Sequence, residues 1–105
     1  MDAALKNHLV TLIAMKATRP VGYAHLDSEG GKVWLGTAVA ESEKGKGVGT
    51  LLMQALLEEG KKRKIEKITL SVDNDNHIAA TLYRKFGFYL LKKEDLISYY
   101  ETVVK

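Results

Sequence analysis

The sequence predicts a mixed α/β (α+β) domain built on a mostly antiparallel, twisted sheet. Three observations predict this class: three β-rich segments separated by turn residues, two segments whose apolar residues recur at helical spacing, and a strand-like segment between those two. The predicted order along the chain is β-β-β-α-β-α-β-β. With 105 residues, 46% of them hydrophobic, the chain is long enough for one core and too short for two.

The first part of the chain is predicted to form a three-stranded antiparallel meander. Residues Leu9–Met15 are apolar and rich in β-branched side chains, and this strand is expected to end before Pro20. Residues Val21–Leu26 alternate in polarity and form the second predicted strand. The stretch Asp27–Gly31, DSEGG, is a strong hairpin signal, and a third strand over Lys32–Ala40 follows it.

A helix and a fourth strand are predicted after this meander. Apolar residues recur at spacings of three and four from Val48 onward, which is typical of an amphipathic helix. Gly60 and the basic residues after it are expected to end this helix, because cations stabilise the negative end of the helix dipole. In Lys67–Val72 the apolar residues alternate, so they are expected to share one face of a strand.

A second helix and two further strands complete the predicted fold. The polar stretch Asp73–Asn76 offers several N-cap residues, and Gly87 is expected to stop the helix. The predicted apolar face of this helix contains Ile78, Leu82 and Phe86. The remaining residues are predicted to form two strands joined by a loop around Lys93–Ser98.

The composition argues against several classes of function. The chain contains no cysteine, which excludes disulfides and a cysteine nucleophile and favours a cytoplasmic location. No apolar run approaches the ~20 residues of a membrane span, so we expect no membrane association. The net charge of +3 is too small for a dedicated nucleic-acid binder, so nucleic acid is not expected as a partner. The histidines lie at no metal-ligand spacing, and no metal is expected.

Residues 43–52, EKGKGVGTLL, place three glycines directly before the first predicted helix. A helix start has backbone N–H groups without internal partners and a partial positive charge, and glycines let an anion approach the backbone closely. The stretch therefore favours a phosphate-binding loop, with a plain turn as the alternative. Its glycine spacing fits neither the dinucleotide fingerprint nor the nucleoside-triphosphate loop.

Two motifs together resemble one known family. Lys44–Gly49, KGKGVG, fits the pattern Gln/Arg-x-x-Gly-x-Gly/Ala, with Lys44 where glutamine or arginine is usual. Asn76–Phe88, NHIAATLYRKFGF, fits Asn-x-x-Ala-x-x-Leu-Tyr-x-x-x-Gly-Phe. In this order the two motifs resemble the acyl-coenzyme A loop and a later helix of the GNAT superfamily of N-acetyltransferases. The resemblance extends from about Leu9 to the C-terminus.

The resemblance implies a fold of the acyl-CoA N-acyltransferase type and an enzyme that transfers the acetyl group of acetyl-CoA to a primary amine by direct attack. In the family, the loop amides bind the pyrophosphate of coenzyme A, and its pantetheine arm enters a splay between two strands. Tyr83 stands where the family commonly has a tyrosine that protonates the departing thiolate. The implied cofactor-binding residues are Val39, Ala40, Lys44, Gly45, Lys46, Gly47, Val48, Gly49, Thr50, Asn76, Ala79, Tyr83 and Lys85.

Several of these assignments have plainer alternatives. Tyr83 would otherwise fill the cleft with its hydroxyl in water, and Asn76 would otherwise only cap its helix. A base for the acceptor amine is expected among Glu41, Asp73 and His25, although none of them matches a diagnostic motif. The alternatives for these three are a solvated glutamate, a helix-capping aspartate and an ordinary surface or core histidine.

The sequence departs from the family pattern at its start. Only MDAALKNH precedes the first predicted strand, where family members usually have a strand and one or two helices. We therefore expect residues 1–105 to form one domain with an open acceptor side, to be part of a longer protein, or to be completed by a second subunit, which favours a homodimer. The acceptor is expected to be a small-molecule amine or a protein amine. The alternative function is a noncatalytic acyl-CoA-binding or interaction module.

Overall fold

The computed structural model describes residues 6–104, which form a six-stranded sheet and two α-helices. Its elements are β1 (Lys6–Lys16), β2 (Arg19–Glu29), β3 (Lys32–Val39), a short 3₁₀ helix (Glu41–Glu43), α1 (Val48–Lys62), β4 (Lys67–Asp73), α2 (His77–Lys85), β5 (Tyr89–Lys93) and β6 (Ile97–Val103). The predicted α+β class and the predicted order of strands and helices are confirmed. The segment before β1 lies outside the described residues.

The sheet has the strand order β1-β2-β3-β4-β6-β5. All neighbouring strands in the described part of the chain are antiparallel except β3 and β4, which are parallel and are connected through α1. A parallel pair needs a crossover connection, so α1 is placed against the sheet by this topology. Both edge strands have irregular ladders, because register shifts interrupt β1 near its two ends and β5 between Leu90 and Lys92.

The β2–β3 hairpin turns at Gly30 and Gly31, whose φ values are 61° and 80°. A two-residue hairpin turn with positive φ at both positions matches the twist of the strands that it joins, and glycine adopts this conformation without strain. The predicted hairpin is therefore present, but β2 continues through Glu29, three residues beyond the predicted end at Leu26. Asp27 fits inside the strand because its buried carboxylate lies within 2.8 Å of ring nitrogens of His8 and His25.

Helix α1 begins at Val48 as predicted, but it does not end at Gly60. Gly60 is buried within the helix, and a Cβ at this position would lie 3.3 Å from Cδ1 of Ile68 on β4. The glycine thus permits the close approach of α1 to the sheet instead of capping the helix. The helix ends at Lys62, and Lys64 takes the left-handed conformation, with φ of 60°.

Helix α2 is bounded as its sequence predicts. The Asn76 side chain accepts a hydrogen bond from the amide of Ala79, and Gly87, with φ of 88°, follows the helix end. The amide of Phe88 donates a hydrogen bond to the carbonyl of Tyr83, which gives a partner to a carbonyl in the last turn of the helix. The helix therefore has a capped start and a glycine stop.

The face predicted for α2 is wrong at Ile78, which is 87% exposed. The buried residues of the helix are Ala80 and Tyr83, and Leu82 and Phe86 are partly buried against the core. The sequence spacing alone misplaced the apolar face, because two small alanines and a tyrosine form the contact while an isoleucine points to solvent.

The hydrophobic core lies between the helices and one face of the sheet. Its innermost side chains include Leu26 on β2, Leu56 on α1 and Leu70 on β4, none more than 1% exposed. The alternation predicted for β4 is confirmed, because Ile68, Leu70 and Val72 are all buried. Burial of these side chains on one face fixes the register of the strands, since a shift by one residue would expose them.

The opposite face of the sheet is open in the part of the chain that the structure describes. It contains Ile13 and Tyr23, which are 61% and 45% exposed, and the polar group of His8, Asp27 and His25. The His25 ring lies over Gly36 of the neighbouring strand, where a Cβ would overlap with the ring. A larger residue at position 36 would therefore have to displace the His25 ring.

The contact between His25 and Gly36 can be tested through stability. Gly36→Ala should lower the free energy of unfolding by about 1–2 kcal/mol, because the added methyl group must displace a ring that Asp27 holds. The same change in a His25→Ala background should cost almost nothing, and urea denaturation of the four proteins measures the difference. An equal cost in both backgrounds would show that the ring is not the obstacle.

Candidate active site

The loop between the 3₁₀ helix and α1 contains two glycines in left-handed conformations. Gly45 and Gly47 have φ values of 79° and 87°, and a Cβ at either position would have no heavy atom within 4 Å. Their backbone conformation, and not crowding, therefore selects glycine here. Gly49 differs, because its Cβ would lie 3.2 Å from Leu82, so this glycine lets α1 pack closely against α2.

The start of α1 is open to a ligand. Gly47 is the N-cap and has no capping side chain, and the first bond within the helix runs from the amide of Leu51 to the carbonyl of Gly47 at 3.0 Å. The preceding amides, those of Val48, Gly49 and Thr50, have no partner inside the helix. With 15 residues aligned in α1, these groups lie at the positive end of its dipole. The arrangement suits an anion.

Strands β3 and β4 separate next to this loop. Within residues 6–104 their ladder contains one pair, Trp34 with Thr69, and no residue after Trp34 pairs with β4. Because the strands are parallel, their C-terminal ends lie at the same end of the sheet, and beyond Trp34 these ends do not pair with each other. A gap therefore opens between the ends of β3 and β4, and the glycine loop follows directly from the β3 side.

Tyr83 extends from α2 to β3 beside this gap. Its side chain is buried, its ring packs against Phe88 with centroids 5.9 Å apart, and its hydroxyl lies 3.3 Å from Oγ1 of Thr37. The hydroxyl thus has a protein partner, whereas the plainer alternative had placed it in water. Thr37 was not predicted, although its position two residues after the inward-facing Leu35 places it on the same face of β3.

Glu43 is a second residue that the sequence did not indicate. It is 5% exposed, and its carboxylate lies near three cationic groups, those of Arg19 at 3.4 Å, Lys16 at 3.5 Å and Lys46 at 3.9 Å. Lys16 and Arg19 flank the turn of the β1–β2 hairpin, so the carboxylate connects that hairpin to the glycine loop. The sequence of a polar stretch such as ESEKGK does not distinguish a buried glutamate from an exposed one.

A model of the acetyltransferase (GNAT) family matches residues 2–88 of the sequence. The chain belongs to this family. The predicted class of enzyme, an acetyltransferase of the GNAT family, is thereby confirmed, and the match does not extend to the acceptor. Comparison with curated protein sequences gave no match.

Solved structures of GNAT acetyltransferases share the fold at low sequence identity. An acetyltransferase of the family from Streptococcus pneumoniae superposes with a TM-score of 0.84 at 20% identity and covers 94% of this chain and 68% of its own. The ribosomal-protein-alanine N-acetyltransferase from Brucella melitensis superposes with a TM-score of 0.80 at 22% identity. The match covers 89% of this chain and 67% of that protein. The PaiA N-acetyltransferase from Thermoplasma acidophilum, in complex with coenzyme A, superposes with a TM-score of 0.81 at 21% identity. The match covers 90% of this chain and 60% of that protein. This chain thus spans between 60% and 68% of these three proteins.

The residues of this GNAT chain fit coenzyme A as a ligand. The loop presents helix-start amides with no capping side chain, and the space beside Gly45 and Gly47 is free for an anion. The gap between β3 and β4 leaves backbone groups beyond Trp34 outside the ladder, where the amides of an extended arm can pair. Both features lie at the same end of the sheet.

The candidate bases are not brought together. The side chain of Glu41 is 90% exposed and lies 3.2 Å from the ammonium of Lys44, and Asp73 is exposed at the end of β4. His25 lies on the open face, 2.8 Å from the carboxylate of Asp27. Among residues 6–104, no group of acidic or histidine side chains is arranged to bind a metal ion, and no helix is long and apolar enough to cross a membrane.

The contact between Tyr83 and Thr37 should contribute to stability as well as to the site. Thr37→Val and Tyr83→Phe are each expected to lower the free energy of unfolding by about 1 kcal/mol, because a partly buried hydroxyl loses its partner. The double variant should lose no more than either single variant, which gives a coupling of about 1 kcal/mol in urea denaturation. Additive losses would mean that the two hydroxyls do not interact.

Proposed function

We propose that this GNAT-family protein binds acetyl-CoA across the glycine loop and the β3–β4 gap and transfers its acetyl group to a primary amine by direct attack. The observation that carries the proposal is the position of the uncapped start of α1 at the open end of that gap. Acetyl-CoA supplies the acetyl group as an activated thioester. Since the sequence contains no cysteine, transfer through an acyl-cysteine is excluded.

The proposed cofactor-binding residues fall into three groups. The backbone amides of the glycine loop and of the first turn of α1 hold the pyrophosphate, and the ammonium groups of Lys44 and Lys46 add positive charge. Backbone groups at Val39 and Ala40 pair with the pantetheine arm and polarise the thioester carbonyl. On the α2 side, the proposed contacts are Asn76, Ala79 and Lys85. Asn76 also caps α2, so its amide oxygen is already engaged by the amide of Ala79.

Tyr83 is the proposed general acid. Its hydroxyl lies on the gap side of α2, and the hydrogen bond with Thr37 holds it in one orientation. Donation of the phenolic proton to the departing thiolate would avoid release of a free anion inside the gap. Glu41 and Asp73 are the proposed bases for the acceptor amine, because they follow β3 and end β4, the two strands that bound the gap.

The acceptor and the assembly are proposed in general terms. A small-molecule or protein amine approaches from the open face of the sheet, where a groove of about 480 Å³ lies next to Val39 and Ala40 and is lined mainly by apolar groups. The exposed Ile13 and Tyr23 border this groove and support a homodimer in which a second subunit completes the acceptor pocket. The cysteine-free sequence supports a cytoplasmic location.

Calorimetric titration with acetyl-CoA tests the cofactor site. The unmodified protein should bind it, and Gly47→Glu should abolish binding, because a carboxylate would enter the anion site. Gly31→Glu is a matched control, since Gly31 has φ of 80° and equally open surroundings but lies in the β2–β3 turn. This control should unfold as readily as Gly47→Glu and still bind acetyl-CoA.

Loss of binding in both glycine variants would point to instability and not to the loop. Failure of the unmodified protein to bind acetyl-CoA would contradict the proposed cofactor site. Binding without acetyl transfer to any member of a broad amine panel would instead favour the noncatalytic acyl-CoA-binding module.

Tyr83→Phe tests the acid role. The value of kcat should fall roughly 10- to 100-fold, because a thiolate is a good leaving group and gains less from an acid than an amine would. The Kd for acetyl-CoA should change little, since the ring and its packing against Phe88 are kept. Thr37→Val serves as the control for the lost hydrogen bond and should reduce kcat less. Unchanged turnover of Tyr83→Phe at saturating acetyl-CoA would contradict the acid role.

A further inference from the structure

Glu43 lies at the centre of a charged cluster beside the glycine loop. This Glu43 cluster comprises Glu43, Lys16, Arg19 and Lys46. The side chain of Glu43 is only 6% exposed, whereas those of its three partners are 57–62% exposed. Burial of a carboxylate to this extent costs free energy unless cationic groups lie beside it, so the cluster holds together around Glu43.

The two oxygens of Glu43 have different partners. Oε2 accepts a hydrogen bond from Nη2 of Arg19 at 3.4 Å and lies 3.5 Å from Nζ of Lys16, while Oε1 lies 3.9 Å from Nζ of Lys46. The contact with Lys46 is the longest of the three and therefore the weakest by distance. The two cations of the β1–β2 hairpin already outnumber the single carboxylate, so Glu43 stays paired when Lys46 departs.

Lys46 is also the member of the cluster that is free to move toward the anion site. It lies between Gly45 and Gly47, both of which have positive φ and open space around them. Its side chain is long and flexible and more than half exposed. A phosphate held by the amides at the start of α1 would lie next to this residue in the chain.

We propose that Lys46 passes from Glu43 to a phosphate of coenzyme A when the cofactor binds, and that Lys16 and Arg19 enable this exchange by keeping Glu43 paired. The proposal rests on the proposed function, because it takes the glycine loop as the phosphate site. Lys16 and Arg19 are thus positioning residues that favour cofactor binding without touching the cofactor. No bond is made or broken in the exchange, and one ion pair replaces another.

The exchange predicts that coenzyme A affinity depends on the hairpin cations only while residue 43 carries a carboxylate. Without Lys16 and Arg19, transfer of Lys46 to a phosphate would leave a buried carboxylate unpaired, which costs far more than an exposed ion pair contributes. Coenzyme A would then compete with Glu43 for Lys46. In a chain that also carries Glu43→Gln, this competition disappears and the hairpin cations cease to matter.

Calorimetric titration of coenzyme A into four proteins tests this dependence: the unmodified chain, Lys16→Gln with Arg19→Gln, Glu43→Gln alone, and the triple variant. At about 0.15 M ionic strength, general charge effects are largely screened. The hairpin double variant should raise the Kd roughly five- to twentyfold relative to the unmodified protein. The triple variant should bind within about twofold of Glu43→Gln alone. Circular dichroism checks that each variant is folded.

Lys46→Met supplies the matched control. If Lys46 carries the effect, adding Lys16→Gln and Arg19→Gln to Lys46→Met should change the Kd by less than about twofold. An equal loss of affinity with and without Glu43→Gln would overturn the proposal, because the hairpin cations would then act on the phosphate directly. No binding by the unmodified protein would overturn the proposed cofactor site together with the exchange, so the two failures are distinguishable.

Discussion

The parallel pairing of β3 with β4 is the constraint on which the rest of the structure depends. In a sheet whose other described neighbours are antiparallel, this one junction forces the chain to cross over the sheet through α1. The crossover places the start of α1 at the same end of the sheet at which the two strands diverge. The parallel connection thus brings together two features: a gap with an extended backbone edge, and a helix start whose amides are unpaired within the helix.

The packing around the junction keeps this geometry fixed. Gly60 allows α1 to approach β4, and Gly49 allows α1 to approach α2, so the helix is held closely on two sides. Tyr83 extends from α2 to Thr37 and joins the helix after β4 to the strand before the gap. Glu43 joins the loop to the β1–β2 hairpin on the other side. The glycine loop is therefore held by contacts on both sides, while the amides at the start of α1 remain accessible to a ligand.

Local signals in the sequence predicted most of the fold, and long-range contacts explain what they missed. Turn residues, caps and periodicity found the six described strands and both α-helices, but not the short 3₁₀ helix, because those signals act within a few residues of each other. Gly60 was misread because its role depends on Ile68, a residue of the next strand. Ile78 was misplaced because the contact face of α2 is set by small alanines. At the site, the loop and Tyr83 were indicated by motifs, whereas Thr37 and Glu43 were not, since burial of a polar side chain is decided by partners far away in the chain.

The register shifts in the two edge strands have a consequence for the behaviour of the protein in solution. Strand β1 is 11 residues long and has backbone groups on one side that no strand of the described chain pairs with, an arrangement that favours edge-to-edge aggregation. The shifts near both ends of β1, and the one in β5, bend these edges and break the regular spacing that an incoming strand needs. The irregularities thus hinder polymerisation of the sheet through its edges.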